Sequence, residues 1–186
     1  MALNPTENQK KAEALSIIIQ ELPIFVKSQH IAFYWPQRGE ISPLSLLATA
    51  IQLKKKCYLP VLDPHIQAHL LFAPYQSQDP LTPNRFNILE PRLIESDIIP
   101  AADLDLVLTP LVAFDLSGRR LGMGGGYYDH TFAFLKQTPR PSRPYLLGLG
   151  HAFQQVERLP EDNWDVLLNG VATEEEVHDA LLVDEI

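Results

Sequence analysis

The stretch "LDLVLTP", residues 104–110, is almost continuously apolar where a half-exposed strand would alternate. Such a strand needs cover on both faces, and a mostly parallel sheet with helices packed on each side supplies it. The remaining segments fit this α/β reading. "NPTENQKKAEALSIIIQEL" has helical apolar spacing, with Asn4 or Thr6 near its start and Pro23 limiting its end. "SPLSLLATAIQLKKK" predicts a second helix whose first turn suits Pro43. "HIAFYW", "CYLPVLD", "HLLFAPY", "RPYLLGLG" and "LLNGVAT" predict further strands, and "YYDHTFAFLKQ" a helix. "DPLTPNRFNILEPR" has too little periodicity for either element and is expected to be a proline-punctuated loop. No repeat or long linker divides the chain, so one domain over residues 1–186 is expected.

A formal net charge of −8 leaves no broad basic face for a nucleic-acid backbone, so any bound anion must be held by local donors. The lone cysteine, Cys57, can form neither an internal disulfide nor a cysteine metal cluster; its apolar strand predicts a core position. His65 and His69, four apart, sit near a proline in a strand-like stretch and are expected at the surface rather than on a metal. The opening residues lack a signal pattern and no apolar run reaches bilayer length, so a cytoplasmic location without a membrane partner is expected.

Function is concentrated in "RRLGMGGGYYDH", Arg119 to His130, where glycine fills four of the five positions 122–126. The run follows the central strand and precedes a predicted helix, the place where open α/β sheets collect ligands. Bare glycine amides there can wrap an anion, with the helix dipole adding partial positive charge. Phosphate is the expected guest; a tight structural turn is the simpler alternative. The run is not a Walker A motif, because Gly126 is followed by Tyr127 and Tyr128 instead of Lys and Ser or Thr. A dinucleotide fingerprint from Gly122 would need glycine at position 127, which is tyrosine.

The longer run "LDLVLTPLVAFDLSGRRLGMGGGYYDHTFAFL" resembles the signature of the 5-formyltetrahydrofolate cyclo-ligases, also called methenyltetrahydrofolate synthetases: an apolar strand, a proline, "AFD", then "RLG-x-G-x-GYYD". "RGEIS", "CYLPVLDP", "FNILEP" and "LPEDNWDVLLNGVATEE" are similar to other family segments in order, so the likeness covers most of residues 30–175. The resemblance implies a fold like those of the sugar-phosphate isomerases and CoA transferases. It also implies an ATP- and magnesium-dependent ligase of one-carbon metabolism that turns 5-formyltetrahydrofolate into 5,10-methenyltetrahydrofolate, ADP and phosphate through a phosphorylated formyl group. A monomer is expected.

By the same resemblance, Arg120, Leu121, Gly122, Met123, Gly124, Gly125, Gly126, Tyr127 and Tyr128 form the ATP loop, with Arg120 and Tyr128 taking part in catalysis. Position 125 is often basic in the family and is glycine here, so the loop carries one charge fewer. Asp129 and Asp165 would hold magnesium, which commonly needs only one or two protein carboxylates when it bridges phosphates. Trp35, Glu40, Phe86, Met123, Gly126 and Tyr127 would meet the folate, Glu40 through pterin nitrogens or the formyl group and the aromatic residues by stacking. Taken alone, Asp129 is also explained as a first-turn carboxylate favouring the dipole, Glu40 as a turn residue, and Trp35 and Phe86 as core.

The family usually begins with a short basic segment that reaches the ATP phosphates, and this chain begins "MALNPTENQKK". Lys10 and Lys11 lie about two turns too late on a helix rising about 1.5 Å per residue. The expectation is that the true start lies upstream or that the segment was lost. An alternative function follows, a non-catalytic nucleotide or folate binder that lacks part of its phosphate clamp. A sugar-phosphate isomerase on a similar scaffold would leave "RLG-x-G-x-GYYD" unexplained.

Overall fold

The computed structural model describes residues 4–37 and 39–179. Asn4 starts the first helix, α1 (Pro5–Gln20): its side chain accepts from the Glu7 amide at 2.8 Å, Glu7 reaches back to the Asn4 amide, and Pro5 has no N–H to leave unsatisfied. Pro23, expected to limit α1, opens a short second helix, α2 (Pro23–Lys27). There follow β1 (His30–Ala32), α3 (Leu44–Gln52), β2 (Lys56–Leu62), β3 (Leu70–Pro74), β4 (Leu81–Pro83), β5 (Leu89–Pro91) and β6 (Leu106–Pro110). Then come β7 (Ala113–Phe114), β8 (Arg120–Leu121), α4 (Tyr127–Thr131), a 3-10 turn at Ala133–Lys136, β9 (Tyr145–Leu149), β10 (Gly170–Ala172) and β11 (Val177–Asp179).

Seven strands form the main sheet in the order β11-β10-β9-β6-β1-β2-β3. Pairings among β10, β9, β6, β1 and β2 are parallel, and β11 and β3 close the two edges antiparallel. The strand expected to be central, β6, is the fourth of the seven, and Leu106, Val107 and Leu108 are each 0% exposed. Its alternate side chains enter different layers. Leu106 and Leu108 pack with Leu15 and Ile19 of α1 and Leu46 and Leu47 of α3, whereas Val107 packs with Phe132 and Leu135 beyond α4. The chain is therefore a mostly parallel α/β sheet covered on both faces, as its apolar pattern requires. Cys57 lies inside the first layer, where burial pushes its thiol up to about 12. Among the described residues no helix is long and apolar enough to cross a membrane.

Two expectations are corrected. The proline-punctuated stretch holds a small antiparallel hairpin, β4 with β5, turning at Asn84, whose side chain accepts from the amides of Phe86 and Ile88. Strands of three residues each are too short to show a period of two, and the prolines at 83 and 91 fall at their ends. The strand expected over "HIAFYW" narrows to His30–Ala32, although the Phe33 amide still donates to the Tyr58 carbonyl at 2.9 Å.

Between β6 and α4 the chain makes a second small hairpin, β7 with β8, organised by Asp115. This carboxylate is 1% exposed; Oδ1 accepts from the amides of Ser117 and Arg119, and Oδ2 from the amide of Leu159. Arg119 supplies the countercharge at 3.7 Å. Removing the carboxylate strands three amides, while Arg119 keeps Glu161. Asp115→Ala should therefore lower unfolding free energy by about 3 kcal/mol in a urea titration, and Asp115→Asn, which keeps an acceptor oxygen, should lose less. Equal stability of Asp115→Ala and wild type would remove Asp115 from this role.

Candidate active site

From β1 the chain proceeds to β2 and β3 on one side, and from β6 to β9 and β10 on the other, so strand order reverses between β1 and β6. A crevice opens at the carboxyl ends of strands at such a reversal. The segments that leave β1 and β6 there carry most of the residues singled out in the sequence.

The glycine run is pinned at both ends by a closed set of hydrogen bonds. Arg120, in β8, donates from Nη2 to Asp129 Oδ1 at 3.0 Å and from Nη1 to the Val166 carbonyl at 2.8 Å. The Val166 amide completes the ring by donating to the same Asp129 oxygen at 2.9 Å. The side chains are 7% exposed for Arg120 and 21% for Asp129, so this is a largely desolvated pair. Arg120, expected to point its charge at phosphates, spends both terminal nitrogens inside the protein, with its guanidinium 6.0 Å from the Tyr128 ring centre.

Between these anchors, Leu121 to Gly125 are exposed. Gly124 and Gly126 hold φ of 86° and 63°, left-handed values that disfavour side chains. A Cβ at Gly125 would come within 2.7 Å of the Tyr127 ring, so the tyrosine occupies the space that a residue at 125 would need. The helix behind the run is shorter than expected. α4 has five residues and is tied to β3 by Thr131, whose hydroxyl donates to the Tyr127 carbonyl and accepts from the Leu70 amide. A macrodipole needs aligned peptides, and barely more than one turn supplies few of them.

Glu40 ends the loop after β1, with Oε2 accepting from the Gln37 amide at 2.8 Å. Burial raises its pKa to about 7, against a smaller lowering by that amide. Tyr34 and Tyr128 are both pushed upward, first by burial and then by the Glu40 carboxylate, which brings the β1 loop and the start of α4 to one place. The Tyr34 hydroxyl donates to the Ile41 carbonyl and braces this loop. The arginine of "RGEIS" lies outside the described residues.

The β4–β5 hairpin covers the other end of the run. Phe86 is 50% exposed and meets Tyr127 edge-on at 5.9 Å, while Arg85 donates to the Tyr127 hydroxyl at 2.8 Å. Trp35 is half-buried against the first core layer, and Met123 is exposed. Arg85 and Tyr34 escaped the sequence reading, their only signals being adjacency to Phe86 and to Trp35; Asp115 stood in the "AFD" of the signature without a role.

The two residues expected at magnesium are linked through the backbone, since Asp129 accepts from the amide of Val166, the residue after Asp165. Each uses one oxygen internally, Asp129 Oδ1 in the ring and Asp165 Oδ2 on the Asp162 amide at 2.8 Å. Asp129 Oδ2 and Asp165 Oδ1 remain. Among the described residues no group of three or more metal-ligating side chains exists, so the protein itself offers at most these two carboxylates, the number that a phosphate-bridging cation commonly uses. Lys11 is engaged by Glu174 beyond β10.

Comparison with known proteins agrees with the likeness read from the motifs. The model of the 5-formyltetrahydrofolate cyclo-ligase family matches residues 1–174. The 5-formyltetrahydrofolate cyclo-ligase of Escherichia coli K12 is 37% identical over 176 residues, covering 95% of this chain and 94% of the relative. That of Haemophilus influenzae is 40% identical over 162 residues, covering 87% and 82%. The solution structure of Aquifex aeolicus 5,10-methenyltetrahydrofolate synthetase superposes with a TM-score of 0.79 at 30% identity, covering 96% of this chain and 85% of that one.

Glu40 gives the site a pH signature. Below its ordinary value of 4.5 the carboxyl is protonated folded or unfolded and contributes no difference; between there and about 7 only the unfolded chain ionises, so folding stability falls as pH rises through that window. Glu40→Gln removes this titration. Its melting temperature should match wild type near pH 4 and exceed it by several degrees at pH 8. A difference that does not change with pH would refute the buried-carboxyl assignment.

Proposed function

The chain belongs to the 5-formyltetrahydrofolate cyclo-ligase family, and on that premise we propose that it closes 5-formyltetrahydrofolate to 5,10-methenyltetrahydrofolate with ATP, releasing ADP and phosphate. The observation that carries this reading is the exposed glycine run anchored by Arg120 and Asp129, with the Glu40 carboxylate near enough to Tyr128 to push its hydroxyl's titration upward.

A formamide oxygen is a poor leaving group. In the proposed reaction the terminal phosphoryl group of ATP moves to that oxygen and ADP departs. The N10 lone pair then attacks the formyl carbon, the carbon–oxygen bond breaks with its electrons leaving on phosphate, and N10 gives up its proton. Little covalent chemistry falls to the protein, so its work is positioning and charge neutralisation. The amides from Leu121 to Tyr128 would follow the nucleotide's phosphate oxygens, with Arg120 acting from inside the clamp to hold the run in shape. Tyr128, packed beside Phe132, would close the run against the folate. Trp35, Phe86, Met123, Gly126 and Tyr127 would frame the folate. Glu40, near 7, is suited to accept hydrogen bonds from the substrate's nitrogens or the N10 proton at neutral pH. Asp129 Oδ2 and Asp165 Oδ1 would hold magnesium, which when bound neutralises the phosphates.

The deciding measurement is methenyltetrahydrofolate absorbance from purified full-length protein with magnesium, with and without ATP. ATP-dependent product supports the enzyme; ligand affinity without product identifies a non-catalytic binder. Asp129→Asn and Arg120→Ala should each reduce turnover at least about tenfold, because either change breaks the clamp that positions the glycine run at the transferring phosphoryl group. The assay temperature must lie well below each variant's melting point. Near-normal turnover in both variants would overturn the loop assignment.

A further inference from the structure

The exposed glycine run carries no outward cation of its own. Arg120 is turned inward to Asp129 and Val166, and Arg119 is taken by Glu161 and Asp115. Beside the run, at the tip of the β4–β5 hairpin, stands Arg85. Its guanidinium lies 5.0 Å from the centre of the Phe86 ring and donates to the Tyr127 hydroxyl, a neutral partner. Among the described residues no carboxylate pairs with it, although the chain has eight more acidic than basic side chains. Phe86 is 50% exposed and fixed edge-on to Tyr127. The tip thus offers, side by side at the rim of the crevice, an exposed aromatic face and an unneutralised forked cation.

Resting on the reaction proposed above, we infer that Arg85 receives the glutamate carboxylates of the folate substrate, while Phe86 packs on the aminobenzoyl ring that precedes them. The pairing matches the ligand's own order, since a flat aromatic ring joined through one amide to carboxylates meets a ring with a guanidinium beside it. A planar guanidinium binds a carboxylate through two parallel N–H donors, which ammonium does not reproduce. The rim position also fits the substrate's solvent-facing end, whereas the transferring phosphoryl group must be screened from water. Tyr127 holds Arg85 in place until a carboxylate replaces its hydroxyl as acceptor.

The test compares wild type, Arg85→Ala and Arg85→Lys on two substrates, 5-formyltetrahydrofolate and 5-formyltetrahydropteroate, which lacks the glutamate. Arg85→Ala should raise KM for the folate about tenfold, with kcat and KM for ATP within about twofold; Arg85→Lys should recover part of the loss. On the pteroate the three proteins should agree within about twofold. A folate KM unchanged in Arg85→Ala, or a defect that persists on the pteroate, overturns the assignment. A rise in the KM for ATP instead gives Arg85 to the phosphates and overturns it equally. Calorimetric binding of the same two ligands without ATP reads the same contrast independently of turnover. Wild type that binds the folate yet forms no product counts against the proposed reaction alone; wild type that binds neither ligand removes both readings.

Discussion

The ring formed by Arg120, Asp129 and Val166 is the constraint on which the site depends. A glycine run has no side chains to pack, so nothing within Gly122 to Gly126 can fix its path. Its shape has to be imposed at its ends. Arg120 precedes the run, Asp129 follows it, and both are bound to one peptide unit of a third segment, through the Val166 carbonyl and amide. Each bond involves a charged group in a largely desolvated place, where losing one partner strands the others. The same ring fixes the backbone next to Asp165, because the residue after Asp165 is the one held. Asp115 continues this logic upstream, binding the β7–β8 turn and Leu159 with one carboxylate.

Apart from the clamp, the loop after β1 and the start of α4 bring together groups whose titration the fold displaces. Burial raises Glu40 to about 7, and Tyr34 and Tyr128 share its surroundings. At neutral pH the buried Glu40 carboxyl opposes folding, while the two tyrosines stay neutral folded or unfolded, and the apolar layers around β6 must offset the carboxyl. The division of labour is spatial: the middle of the sheet is fully buried hydrocarbon, and displaced titration begins where the strands end. Perturbed titration at a crevice of this kind is what a proton-handling site requires.

The sheet was legible because its signal is local. Continuous apolar residues at 104–110 required cover on both faces, and helical spacing in α1 and α3 said what covered one of them. The β4–β5 hairpin was not legible, because three-residue strands between prolines leave no periodicity to read. In the site, order along the chain identified the loop, but not the direction of its side chains. Arg120 next to a glycine run suggests a phosphate contact; the structure turns it toward a carbonyl 46 residues away. Likewise Arg85 reaches Tyr127 across 42 residues, a contact that no sequence spacing predicts. What the sequence withheld is the long-range pairing of polar groups, which folding decides after the apolar layers are placed.

The short α4 alters how an anion could be held. A long helix behind a glycine run adds a field along its axis, but five residues supply little of one, and the arginines before the run are already engaged by carboxylates. Charge complementarity must then come from amides and from side chains on other elements. The space over Gly125 points the same way: the Tyr127 ring fills it, so a cation cannot be added there without moving that ring. Tyr127 is in turn held by Arg85 and Phe86. The hairpin, the tyrosine and the bare glycine are therefore one steric arrangement, in which the absence of a side chain at 125 allows a guanidinium from elsewhere to be present.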